Sequence, residues 1–183
     1  MTLRAPDPGS LSDRLYGALR DVPDFPKPGI MFKDITPLLG NAWLFRDLVA
    51  AMAAPWKRSG VTHVAGVESR GFILAAPIAL ALGTGFIPIR KPGKLPWRTS
   101  SVSYALEYGT DSLEMHADAC SSGSRVLLVD DVLATGGTAE AAVSLISGTG
   151  AVVAGCGFLL AISSLKGTAR LTGLEVQTLL DRR

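Results

Sequence analysis

Apolar residues recur along this chain at two different spacings. Leu11, Leu15 and Leu19 repeat at helical spacing behind Ser10 and Asp13, the pattern of a capped helix start. Pro23, Pro26, Pro28 and Gly29 end that helix and predict an irregular, proline-stiffened loop. Asn41 stands where it can cap a second helix, with Trp43, Leu44, Leu48 and Met52 on its apolar face and Pro55 and Gly60 at its end. From residue 61 a strand–helix rhythm takes over. Residues 61–67 predict a buried strand, Glu68, Ser69 and Arg70 a loop, 71–82 a helix in spite of Pro77, and 86–90 the next strand. Residues 101–106 and 112–118 predict a two-stranded excursion around Gly109. Residues 125–130 predict a strong strand, 137–146 a helix and 151–162 another apolar strand. Strands that lack polar alternation and are separated by helices belong to a parallel sheet covered on both faces. The expected class is α/β, doubly wound, with ligands bound outside the carboxyl ends of the strands.

Composition narrows the field. Of 183 residues, 48% are hydrophobic and 19% charged, an ordinary globular mixture that excludes disorder. There is no internal repeat, low-complexity tract or long linker, so one domain spanning 1–183 is expected. The net charge, 18 − 16 = +2, gives no basis for general nucleic-acid or membrane-surface binding. Two uncharged stretches, 71–89 and 141–165, are long enough to span a bilayer. Pro77, Gly83, Gly85 and Pro88 interrupt the first, and Ser147, Gly148, Thr149 and Gly150 the second. Each predicts a buried helix, a turn and a buried strand. The opening MTLRAPDPGS has no apolar segment, so a cytoplasmic protein is expected. Cys120 and Cys156 form no CxxC pair, and His63 and His116 lack metal-ligand spacing. Two free thiols are expected, and a structural zinc site is not.

The chemistry concentrates in VLLVDDVLATGGTAEAA, from Val126 to Ala142. A buried strand delivers Asp130 and Asp131 to its carboxyl end, where two adjacent carboxylates repel each other unless a cation or hydroxyls lie near. Ala134, Thr135, Gly136, Gly137 and Thr138 then enter a helix. The glycines let the backbone turn with its N–H groups bare, the threonines add hydroxyl donors, and the helix N-terminus adds its dipole. That is a nest for one phosphate, with two acids placed for sugar hydroxyls or Mg²⁺. The string lacks the GxxxxGK[ST] spacing of a P-loop and the GxGxxG of a dinucleotide fold.

The same string resembles the phosphoribosyl-pyrophosphate signature of type I phosphoribosyltransferases, in a spelling close to that of the adenine-specific members. Three further segments resemble that family in the right order: FPKPGIMFKDIT from Phe25, ESRGF from Glu68, and RKPGKLP from Arg90 with YALEYG from Tyr104. Val132, the Ile73-Leu74-Ala75 run and Trp97 depart from common spellings. The resemblance implies an N-terminal hood over 1–36, a core over 37–183 and a mobile catalytic loop at about 95–107. It implies transfer of a phosphoribosyl group to adenine, giving AMP and pyrophosphate, through an oxocarbenium-like transition state. Mg²⁺ would be carried mainly by the substrate, with help from Asp130 and Asp131 rather than a strong direct protein ligand.

Roles carry over residue by residue. Ala134, Thr135, Gly136, Gly137 and Thr138 would hold the 5′-phosphate, and Asp130 and Asp131 would face the ribose hydroxyls. Ser69, Arg70, Arg90, Lys91 and Lys94 would meet pyrophosphate, the basic loop reaching it across a homodimer interface. Phe32 would lie against the purine face, with backbone groups of Met31 and Lys33 reading its edge and Leu133 closing the other side. Glu107 would shuttle a proton on the purine, Tyr108 would cover the reacting ribose and Arg70 would assist. Hypoxanthine-guanine and orotate members share the fold but usually open the signature with Glu-Asp, so Asp130-Asp131 and the FPKPGIMF segment favour adenine. A phosphoribosyl-pyrophosphate-sensing regulator that binds nucleic acid is the alternative from another class, and the net charge of +2 speaks against it.

Overall fold

A computed structural model describes residues 9–105 and 110–182. The chain divides into two compact units, with the boundary between Ala51 and Met52.

The first unit opens with α1 (Leu11–Gly17), where Ser10 Oγ accepts the Asp13 N–H at 3.2 Å. β1 (Arg20–Val22) and β2 (Phe32–Asp34) follow and pair antiparallel, with Val22 opposite Phe32. The prolines between them therefore sit in a connection that closes a small hairpin, where the sequence suggested irregular chain alone. Three-residue strands carry too little alternation to register as a pattern. A single turn, α2 (Thr36–Leu39), precedes α3 (Ala42–Ala53). Asn41 caps α3 as expected, its Oδ1 accepting the N–H groups of Trp43 and Leu44 at 3.2 Å. Leu15, Ile35, Leu38 and Leu48 are fully buried and form this unit's core.

The second unit contains β3 (His63–Val67), α4 (Arg70–Leu82), β4 (Gly85–Ile89), β5 (Thr99–Ala105), β6 (Thr110–His116), β7 (Arg125–Leu133), α5 (Gly137–Gly148), β8 (Val152–Ile162) and β9 (Val176–Arg182). Five of these strands form a parallel sheet in the order β4-β3-β7-β8-β9. β5 and β6 make a separate antiparallel pair, with Ser101 opposite Glu114. β9 is an addition to the sequence reading, which left the C-terminal stretch unassigned.

The topology places the site. The crossover β3-α4-β4 runs toward one edge of the sheet and β7-α5-β8 toward the other. Right-handed crossovers in opposite directions put α4 and α5 on opposite faces, which is the doubly wound arrangement. Strand order reverses between β3 and β7, so their carboxyl ends share one crevice. Gly66 lets α4 lie close on β3, since a Cβ there would stand 2.7 Å from that of Ala75. That approach brings Arg70, the first residue of α4, to the crevice. Phe158, Leu127 and Leu74 are among the buried side chains that fix the layers, each contributing about 1.5–3 kcal/mol of transfer free energy. Residues 71–89 resolve into α4 and β4, and 141–165 into α5 and β8, as expected. Among the described residues, no helix is long and apolar enough to cross a membrane.

Candidate functional site

A cavity of about 450 Å³ fills the crevice. One wall is the turn Glu68, Ser69 and Arg70; the other is the end of β7 and the loop into α5, while Lys91 and Tyr104 also line it. The Glu68–Ser69 peptide is cis.

The acidic pair sits deeper than a strand end. β7 does not stop at Asp130 but continues to Leu133, because Val132 and Leu133 keep pairing with Leu160 and Ala161 of the longer β8. Alternation along the strand then separates the two carboxylates. Asp131 and Leu133 are buried, at 4% and 2% exposure, while Asp130 and Val132 are half-buried. Arg70 Nε donates to Asp131 Oδ2, so the most buried carboxylate has a guanidinium partner. Asp130 Oδ1 accepts the Asp131 N–H at 2.9 Å. Desolvation, and then the charge of Asp131, push the Asp130 carboxyl well above its ordinary range, with Arg70 opposing. Gly71 makes room for this arrangement, since a Cβ there would come within 2.7 Å of Asp130 Oδ1.

The loop into α5 has the features of an anion site. Gly136 caps the helix at φ +85°, and no side chain caps it, which leaves the first-turn N–H groups for a ligand. Ala134, Thr135, Gly136, Gly137 and Thr138 all line the cavity. Thr138 Oγ1 donates to the Tyr104 hydroxyl at 3.4 Å, and Tyr104 donates to Asp111 Oδ2 at 3.3 Å. Lys91 Nζ bonds the same Asp111 oxygen. A chain of polar contacts thus runs from the basic loop through the β5–β6 pair to the loop into α5.

The basic cluster is split. Lys91 and Arg70 line the cavity, as does Ser69. Arg90 instead donates through Nε to Glu68 Oε2 at 2.6 Å and through an Nη to the Lys94 carbonyl at 2.8 Å. Neither Arg90 nor Lys94 lines the cavity. The residues expected to touch the base belong to the first unit, apart from Leu133. Phe32 stacks edge-on against Phe25 with centroids 5.0 Å apart, Met31 is 37% exposed, and Lys33 pairs with Asp21 and lies over the Tyr16 ring. Leu133 lines the main cavity and also a second one of about 410 Å³, bounded by Ala161, Lys166 and Gly167. Glu107 and Tyr108 lie outside the described residues.

The sequence did not mark Glu68, Tyr104, Asp111, Val132 and Gly167, among others, as ligands or supports. Glu68, Tyr104 and Val132 fall inside segments already singled out, so their neighbours were a signal. Asp111 and Gly167 have none, because each acts on residues distant in sequence.

The comparisons with known proteins agree with this geometry. The family model described as "Phosphoribosyl transferase domain" matches residues 44–172. An adenine phosphoribosyltransferase of Myxococcus xanthus is 58% identical over 166 residues, covering 91% of this chain and 90% of the relative. The crystal structure of adenine phosphoribosyltransferase from Rhodothermus marinus superposes with a TM-score of 0.91 at 50% identity, covering 94% of this chain and 99% of that one. The Saccharomyces cerevisiae enzyme, complexed with an imino-altritol bisphosphate and adenine, gives 0.88 at 38% identity over 93% of this chain and 99% of its own. This chain belongs to the phosphoribosyltransferase family, and within it to the adenine phosphoribosyltransferases.

Proposed function

We propose that the chain transfers the 5-phosphoribosyl group of phosphoribosyl pyrophosphate to adenine, giving AMP and pyrophosphate. The observation that carries this reading is a single cleft holding an uncapped helix N-terminus, an acidic pair and two cations. Those groups match the three parts of the donor. The amides and hydroxyls from Ala134 to Thr138 suit the 5′-phosphate. Asp130 and Asp131 suit the ribose hydroxyls, and Arg70, Ser69 and Lys91 the pyrophosphate. Arg90 and Lys94 are assigned to the same anion from the loop they share. Met31, Phe32, Lys33 and Leu133 are assigned to adenine, Glu107 to proton transfer on the purine, and Tyr108 to covering the ribose.

The transition state is oxocarbenium-like, and the cations stabilise charge as it gathers on the leaving pyrophosphate. Closure of the loop at 95–107 excludes water meanwhile. Mg²⁺ is assigned to the substrate's own oxygens. Among the described residues, no three His, Cys, Asp or Glu side chains gather as a metal site; of the cleft's acids, Glu68 pairs with Arg90 and Asp131 with Arg70, while Asp130 accepts the Asp131 N–H, and Asp130 and Asp131 are assigned the supporting part in holding the ion. When bound, the ion would neutralise the leaving group.

The whole chain is assigned to one phosphoribosyltransferase domain that works as a homodimer. Ile73, Leu80 and Phe86 support the dimer, as apolar side chains 42%, 83% and 37% exposed on α4 and β4. A cytoplasmic setting accords with two buried free cysteines, the Cys156 thiol being pushed up to about 12 by burial. Incubation with phosphoribosyl pyrophosphate, Mg²⁺ and adenine should release AMP and pyrophosphate in equal amounts and stop on chelation. Pyrophosphate release without AMP would overturn the assignment.

A further inference from the structure

The turn at Gly167–Arg170 lies outside the cleft, yet it touches the back of the phosphate loop. A Cβ on Gly167 would stand 2.2 Å from the Ala134 carbonyl oxygen and 3.0 Å from the Gly136 nitrogen. From the other side, a Cβ on Gly136 would stand 2.4 Å from the Gly167 oxygen. Real side chains do not pack at such distances, so the two backbones approach as only glycine permits. The turn itself is pinned. Leu171 is 3% exposed in the core, and its N–H bonds the Thr168 carbonyl at 3.0 Å. Arg170 reaches Glu140 in the first turn of α5 at 2.8 Å.

We propose that Gly167 is a positioning residue for the donor's phosphate: its bare backbone buttresses Ala134 and Gly136 and holds the loop's N–H groups on the 5′-phosphate. This rests on the assignment of that loop to the phosphate. The buttress acts on the phosphate end alone. The pyrophosphate groups Ser69, Arg70 and Lys91 stand on other segments, and none of them is among the three nearest atoms to that added carbon.

Two measurements test it. In Gly167→Ala the loop must shift, so calorimetric titration should show ribose 5-phosphate binding weakened at least about tenfold, the loss of one hydrogen bond to a charged group. Pyrophosphate should bind within about twofold of wild type. Equal losses for both ligands, or wild-type affinity for ribose 5-phosphate in the folded variant, would overturn the proposal. Should the variant not fold, hydrogen exchange on the wild-type protein decides. Saturating ribose 5-phosphate should protect the amides of 166–170 together with those of 134–138. Protection confined to 134–138 sinks the buttress but keeps the loop assignment. Ribose 5-phosphate binding with no protection at 134–138 sinks both.

Discussion

Gly136→Ala probes the loop proposed to hold the phosphate, at its closest approach to Gly167. The added carbon would not enter the cleft; it would aim at Gly167, 2.4 Å from that residue's oxygen and 3.1 Å from its carbonyl carbon and Cα. The backbone there has φ +85°, a region that costs an L-residue about 1–2 kcal/mol. Overpacking a tight contact adds about 1–3 kcal/mol. The sum is about 2–5 kcal/mol, and a domain of this size loses about 2–4 °C in Tm per kcal/mol, so a fall of about 4–20 °C follows if the loop holds its place. If the loop instead swings away from Gly167, the strain is relieved and the cost reappears as misaligned N–H groups. Ribose 5-phosphate affinity then falls by about tenfold or more. Scanning calorimetry and titration on the same preparation cover both routes. A Tm within about one degree of wild type, together with affinity within about twofold, would refute the reasoning.

Other expectations follow from the same structure and sequence. Glu107→Gln should slow single-turnover formation of AMP by about 10²- to 10⁴-fold with little change in donor binding, whereas Glu114→Gln, which only loses charge at an acceptor for the Gly93 N–H, should lose little activity. A wild-type rate in Glu107→Gln would remove the proton shuttle. Asp130 holds its proton to higher pH in the folded state than in the unfolded chain, so its contribution to stability is fully present below the ordinary carboxylate range and is lost as pH rises through the raised value. Asp130→Asn should therefore be more stable than wild type at neutral pH, with the gap closing toward about pH 4; urea midpoints across pH check this, and a gap independent of pH contradicts it. Leu80→Glu should yield monomers by sedimentation equilibrium, and an undisturbed dimer would move the interface elsewhere.

The fold was legible where the pattern is local and strong. β3, α4, β7, α5 and β8 stand out because buried runs such as Val126 to Val129 have no polar interruption. Pro77 did not hide α4, since the apolar face continues through it. β9 was invisible because residues 176–179 are half-buried and the strand mixes Gln177, Thr178, Asp181 and Arg182 among its apolar residues, which local periodicity cannot separate from loop. The extension of β7 past Asp130 depends on the length of β8, a partner that local pattern does not specify. The uncapped start of α5 was legible as a possible anion site because a glycine pair behind two aspartates has a local mechanism. Its buttress was not, since Gly167 matters only through contact with a distant segment. The splitting of the basic cluster was equally hidden: Arg90 and Lys91 are neighbours, but Glu68 holds one and Asp111 the other.

Choice of base is what separates an adenine phosphoribosyltransferase from the rest of its family. Equimolar adenine, hypoxanthine, guanine and orotate, offered together with limiting phosphoribosyl pyrophosphate and Mg²⁺, compete for one donor, and mass analysis of the nucleotides formed reads their relative kcat/KM directly. AMP should form in large excess over every other product. A mixture led by the nucleotide of hypoxanthine, guanine or orotate would contradict it while leaving the phosphoribosyltransferase fold and cleft in place.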